Sequence, residues 1–393
     1  MSFGLGKRRL AALGVTLAAG LLFGTGTRAY AGDPNVDSGA TVDQPGAILV
    51  FAKVVFDGPT PTIANPKPRD TIIQISNTMN VTAHVHCFYI DAETVNPSLP
   101  FNPVFNPRIW QETDFSLWLT RQQPTHWVAS FGRPVDPNDG LGNQNSGLDP
   151  GPIPPVRAGF EGELRCVVVD ADDKPLADAN WIKGEATIRD TTHDVSDYNA
   201  IALRAGHAAG ATDNILALDE IGKDNGGQYT SCPDSLLFDF FAYGHNDPVV
   251  EENGLCDDGN GSTPNDCPIN TTLTLVPCGE DFENLVPGRV TVGFEIINEF
   301  ENKTSRDGVQ VDCWLDEPLN NLGTNAFNAG VLGSITGSAR VTPADGQGGV
   351  LGVAEETHLD SDGNSGRAAF NLHQEGSRAA SQETVDRIVL SAP

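Results

Sequence analysis

Three sets of residues have the type and spacing to do chemistry. The first is a His-x-His pair, His84 and His86, inside the run "VTAHVHCFYID". Alternation along a strand projects both imidazoles from one face, roughly 7 Å apart. With His126 they form a candidate nitrogen set for copper or zinc. The plainer alternative is surface histidines beside a cysteine-bearing strand, because no second His-x-His occurs and Met79 is the one methionine beyond Met1.

The second set lies in "DSDGNSG", where Asp360, Asp362 and Asn364 take alternate positions from which oxygen ligands converge on calcium. The loop departs from the helix-loop-helix calcium pattern, with Ser365 at the glycine position and Asn371 at the closing glutamate position. "DADD" (170–173) and the segment 257–266 are similarly acidic. Each alone reads as a solvated turn; together they make calcium the most credible ion, as an optional cofactor and not a required one.

The third set is the seven cysteines, Cys87, Cys166, Cys232, Cys256, Cys267, Cys278 and Cys313. Cys87 shares a strand face with Val85, and Cys166 sits in the apolar "RCVVV", so these two are expected to bond. The crosslink is worth about 4 kcal/mol if chain entropy dominates. Cys278 and Cys313 are the expected counterpart pair, Cys256 with Cys267 staples the loop between them, and Cys232 is left over.

Hydrolytic chemistry finds no foothold in the sequence. It contains no Gly-x-Ser-x-Gly, no His-Glu-x-x-His and no glycine-rich phosphate loop. Glu355 and Glu356 are adjacent on a strand pattern and point to opposite faces, so they cannot flank one glycosidic bond. Trp110, Trp118, Trp127, Phe131 and Trp314 are candidates for a sugar-stacking platform, against core packing as the simpler role. The expectation is a non-catalytic structural or binding protein. Its rivals are a calcium-dependent carbohydrate- or surface-binding protein and a metal-dependent extracellular enzyme.

The elements that must position these residues are strands. "AILVFAKVVF" is a continuous apolar run suited to a buried strand, and Pro59 to Pro68 ends it. "TIIQISN", "FSLWLT", "FEGELRCVVVDA", "RVTVGFEIIN" and "GVLGVAEE" follow between Gly- and Pro-rich turns, and no long segment carries a helical stripe. The fold class is therefore all-β and antiparallel.

An order-preserving self-similarity suggests a duplication. Ile73, Ile75, Asn77, Cys87 and Asp91 correspond to Phe294, Ile296, Asn298, Cys313 and Asp316. Leu203, Gly206, Asp213 and Ile215 correspond to Leu372, Gly376, Asp386 and Ile388. The expected organisation is a signal peptide (1–31), a flexible leader (32–44), a first β-sandwich (45–218), a linker (219–231) and a second β-sandwich (232–393). The second carries a Cys-containing loop at 245–270.

Lys7, Arg8 and Arg9, an apolar stretch to Phe23 and Ala29-Tyr30-Ala31 have the layout of an export signal. Its removal takes four basic residues from a chain of net charge −28, leaving −32. Such a charge argues against nucleic acid and anionic membranes as partners. No later apolar run is long enough to span a bilayer. The expected address is secreted, whether periplasmic, cell-surface or extracellular, with an extracellular or cell-surface partner.

In strand pattern and cysteine placement the chain resembles tandem immunoglobulin-like sandwich domains. In the phrases "IQISN…HCFYID" and "LTLVPC" it is similar to uncharacterised exported bacterial proteins. The resemblance implies two tandem Ig-like β-sandwiches with long loops and brings no activity with it.

Overall fold

Strand β1 (Ala40–Thr41) precedes β2 (Ile48–Phe56), and β3 (Arg69–Asn77) follows the proline-rich bend. Next come β4 (Ala83–Asp91), β5 (Gln111–Leu119), β6 (Pro124–Val128) and β7 (Phe160–Val169). Strands β8 (Ile182–Asp190), β9 (Val195–Asn199), β10 (Ile201–Leu203) and β11 (Ile215–Leu218) complete the first half. The second half opens with β12 (Ser235–Phe241) and the one-turn helix α1 (Pro248–Glu252), capped by the Asp247 side chain. It continues through β13 (Ile269–Pro277), β14 (Glu280–Asp281), β15 (Arg289–Asn298), β16 (Lys303–Asp312) and β17 (Leu315–Pro318). After the short helix α2 (Ala329–Leu332) come β18 (Thr336–Pro343), β19 (Val350–Leu359), β20 (Ser365–Asn371), β21 (His373–Glu375) and β22 (Asp386–Val389). This computed structural model describes residues 40–62, 65–99, 101–102, 104–134, 149–206, 209, 213–219, 228–253, 256, 267–360, 365–378 and 386–391.

The protein is all-β, with every sheet antiparallel except where β14 joins β22 in parallel. The first half is one ten-stranded sheet that folds over where Phe56 pairs with Asp70. Its inner leaf runs β5-β4-β7-β2-β10-β1 and its outer leaf β6-β3-β8-β9. The leaves pack face to face: the Trp127 indole donates to the Tyr89 hydroxyl between them, and a Cβ on Gly184 would meet the Phe51 ring at 2.6 Å. In the second half, β16-β15-β18-β12-β21 packs on β17-β13-β19-β20 around Phe238, Phe240, Phe294 and Phe327.

Burial patterns show why some strands alternate and others do not. Strands β3, β8 and β15 alternate buried and accessible positions, as outer sheets do. Strands β2 and β4 are buried at all nine positions, because the inner leaf is covered on its other side by the second half. Phe88 stacks on Phe282 with ring centroids 4.4 Å apart, and the Trp314 indole donates to the Ala52 carbonyl.

Polar residues on the covered face are therefore buried with their partners. Lys53 Nζ lies 2.9 Å from both Asp316 and Glu355, and Glu355 also accepts from Ser196. Burial opposes the Lys53 charge, but Asp316 and Glu355 outweigh it and hold the ammonium above its ordinary range. Burial likewise opposes the Glu355 carboxylate, and Lys53 overrides it, holding the group down to about 2. Arg165, fully buried, donates to Glu163 and to the Pro277 and Cys278 carbonyls, with Glu280 Oε2 at 3.6 Å.

Several expectations are corrected. Residues 36–393 form a single compact unit, and β11 of the first half pairs with β22 near the C-terminus. Strands β3 and β4 lie in separate leaves, whereas their sequence counterparts β15 and β16 are hairpin neighbours, so the two halves do not share one pairing scheme. What the two segments do share is a bend: Asn77 Oδ1 accepts from Met79 N and Asn298 Oδ1 from Phe300 N, while each Nδ2 donates to a distant carbonyl. Within the expected flexible leader, Ala40 is buried and pairs with Leu203.

Cys87 bonds Cys166 between directly opposed residues of β4 and β7, Cα atoms 4.0 Å apart, so this bridge lies within one sheet and does not tie two sheets together. Cys256 bonds Cys267. Cys278 bonds Cys232 and not Cys313. Cys313 is a buried free thiol at φ 55°, its pKa raised by burial, in the tight bend that carries the chain from β16 to β17 in the facing sheet. The analogy with Cys87 fails because that bend turns position 313 away from a partner strand. Three disulfides are characteristic of an oxidising, non-cytoplasmic compartment. Among the described residues no helix is long and apolar enough to cross a membrane.

Candidate functional site

The pairing of β4 with β5 builds a two-column face. His84 opposes Trp118, His86 opposes Ser116, Phe88 opposes Asp114 and Ile90 opposes Glu112. Because side chains alternate, these eight share one side of the inner leaf. The second half covers its middle, and the β5 margin stays open to solvent: Trp118 is 45% exposed, while His84 and His86 are each 7% exposed.

The rings form a ladder. Trp118 stacks on His84 with centroids 4.0 Å apart and planes 6° from parallel. His86 stacks on Phe88, Phe88 on Phe282, and Phe282 on Trp110. Offset or stacked ring pairs of this kind add about 0.5–1.5 kcal/mol each beyond area burial. They also set the resting planes of the imidazoles.

Carboxylates surround the ladder. His86 Nε2 lies 3.3 Å from Asp114 Oδ2. The turn after β7 brings Asp173 over the pair, with its Oδ1 3.7 Å from His84 Nε2 and 3.6 Å from His86 Nδ1. The His84 Nδ1 meets the Asp170 backbone carbonyl at 2.6 Å. Farther along, Glu112 is pushed up to about 7 by burial, with Asp114 and Glu280 adding to the shift. A groove of about 800 Å³ opens here between β5 and the second half, lined by Trp110, Glu112, Asp114, Phe282 and Leu285. Its mix of aromatic walls and carboxylates suits a hydroxyl-rich or cationic ligand.

The expected His84, His86 and His126 set does not assemble. His126 is exposed on the solvent side of β6 in the outer leaf, because alternation there turns Trp127 inward. Asp173 and Asp114 take the place that His126 was expected to fill. Asp362 and Asn364 lie outside the described residues, as does 257–266, and Asp360 directly follows β19 with interactions of its own. The aromatic set divides: Trp127 and Trp314 are core, Phe131 is exposed elsewhere, and Trp110 and Trp118 flank the β4–β5 face. The alternating Glu112, Asp114, Ser116 and Trp118 along "ETDFSLWL" was the one sequence signal for the missed residues. Asp173 is marked in the sequence only as part of the acidic "DADD", because its approach to His86 depends on β7 pairing with β4 across 79 residues.

No family model matches the chain, and no curated protein does. Two solved structures of a lectin from Pleurotus ostreatus align with it: the apo form, at 7% identity over 91% of this chain and 94% of that one, and the complex with GalNAc, at 8% over 91% and 95%. Both have a TM-score of 0.15, too low to support any conclusion about fold or ligand.

Proposed function

We propose that this chain is an exported, non-catalytic binding protein: a rigid scaffold whose β4–β5 face recognises a carbohydrate-bearing partner outside the cell or on its surface. The reading rests on one observation, the half-exposed Trp118 fixed flat against a buried imidazole beside an acidic, aromatic groove. An indole locked in this way offers a pre-ordered apolar platform, so a sugar ring stacks on it at little ordering cost. Glu112 and Asp114 then accept from ligand hydroxyls, and Glu112, held up to about 7, also donates in part of its population near neutrality.

Titration with a panel of neutral and amino-sugar oligosaccharides, followed by tryptophan fluorescence and calorimetry, tests this. Trp118→Ala is expected to weaken binding roughly tenfold or more, the loss of about 1.4 kcal/mol of stacking, while lowering stability by no more than about 1.5 kcal/mol, the value of its stack on His84. No saturable binding by any glycan, or equal affinity in Trp118→Ala, would sink the reading.

A further inference from the structure

We infer that His84, His86 and Asp173 form a site for one divalent late transition metal, of the zinc or copper class. The inference concerns the imidazole end of the same face and stands whether or not a glycan binds beside it.

Hydrogen-bond bookkeeping fixes both tautomers. The Asp170 carbonyl can only accept, so the 2.6 Å contact requires a proton on His84 Nδ1, and the neutral ring then has its lone pair on Nε2. Asp114 Oδ2 accepts from His86 Nε2, and the neutral ring then has its lone pair on Nδ1. Both bare nitrogens face Asp173 Oδ1, at 3.7 and 3.6 Å. Asp173 Oδ1 and His86 Nδ1 are buried and have no hydrogen-bond partner.

With both rings neutral, three electron-rich atoms face one another with no donor between them. Such an arrangement is unfavourable unless a metal cation or an added proton fills it. Two imidazoles, each giving its other N–H to a carbonyl or carboxylate, are the usual outer support of a metal site. The donor set of two nitrogens and one oxygen selects late transition metals over calcium, which prefers oxygen alone.

In a tetrahedral zinc shell, ligand atoms sit roughly 3.3 Å apart, so each imidazole is within a few tenths of an ångström of its distance to Asp173. Both nitrogens approach the same carboxylate oxygen. Occupation therefore turns the rings inward about the shared oxygen and leaves a fourth position for water or a ligand group.

The test uses the tagless protein stripped with a chelator and titrated with Zn²⁺ against a chromophoric competitor. One equivalent is expected to bind. Asp173 sits at φ 57°, a conformation asparagine accepts readily, so Asp173→Asn preserves the turn while weakening the site. Loss of outer-shell partners alone costs 10–100-fold in affinity, so losing this ligand is expected to cost at least about 100-fold. His126→Ala is expected to bind as the wild type does.

Long-range ¹H–¹⁵N spectra of the wild-type imidazoles give a second readout that needs no variant. Metal-free protein should show His84 protonated at Nδ1 and His86 at Nε2, with Zn²⁺ shifting the other nitrogen of each. Absence of stoichiometric binding, affinity in Asp173→Asn within about threefold of wild type, or doubly protonated imidazoles in metal-free protein at pH 7.5 would overturn the assignment.

Discussion

Lys53→Met is expected to destabilise the protein by about 3–5 kcal/mol at neutral pH, the usual cost of stranding buried charge. Lys53 is 1% exposed and is the ammonium that Asp316 and Glu355 face at 2.9 Å. A methionine fills similar space but leaves two largely buried carboxylates without their ammonium. The deficit should shrink in acid, because without Lys53 the Glu355 carboxyl is no longer held down to about 2 and protonates readily. In the wild type the Glu355 share of stability is present above its unfolded value of 4.5 and is lost as pH falls toward 2. Urea midpoints of Lys53→Met and of Lys53→Met/Asp316→Asn/Glu355→Gln check this. The triple variant should recover most of the loss, and equal midpoints for wild type and Lys53→Met would show that the pair carries no weight.

That network also marks where the sequence stops being readable. "AILVFAKVVF" identifies a strand buried on both faces, and Lys53 within it breaks the pattern. What balances a lysine there depends on Asp316 and Glu355, more than 260 residues away. Alternation is a local property and was legible in β3, β8 and β15; the facing of one sheet by another is not. The same limit explains the cysteines. Cys87 and Cys166 could be matched because each sits in a strand whose inward face is evident, whereas Cys313 sits in a left-handed bend that no periodicity announces.

The candidate site was half legible for the same reason. His84 and His86 follow from strand alternation alone, and so does their shared face. His126 also lies on a strand, but the fold-over of the ten-stranded sheet puts that strand in the other leaf. Asp173 belongs to a turn that reads as solvated from its composition, and it becomes part of the site only because β7 delivers it to the end of β4.

Between pH 5.5 and 8.5 the wild-type stability is expected to fall by up to about 1.4 kcal/mol per pH unit, the slope of one proton. Its source is Glu163 and Glu280, both fully buried around a single guanidinium. Burial pushes Glu163 up to about 8 against the pull of Arg165, with Glu280 adding to the rise. Burial raises Glu280 as well. One Arg165 balances one carboxylate, so the pair keeps a proton at neutral pH. Glu163 gives both oxygens to Arg165 while Glu280 accepts from the Trp110 indole, and the proton belongs to the pair as a whole. In the unfolded chain both carboxyls ionise near 4.5. From there to about 8 the native state binds more protons than the unfolded one, and its advantage drains away as pH rises. Glu280→Gln leaves Glu163 as the one carboxylate of the pair against Arg165 and still offers an oxygen to the Trp110 indole. Its urea midpoint should be nearly flat across this range, with a shallow residual slope from Glu112, and should exceed that of the wild type at pH 8.5. A flat wild-type profile, or the same slope in Glu280→Gln, would show that the buried pair does not share a proton.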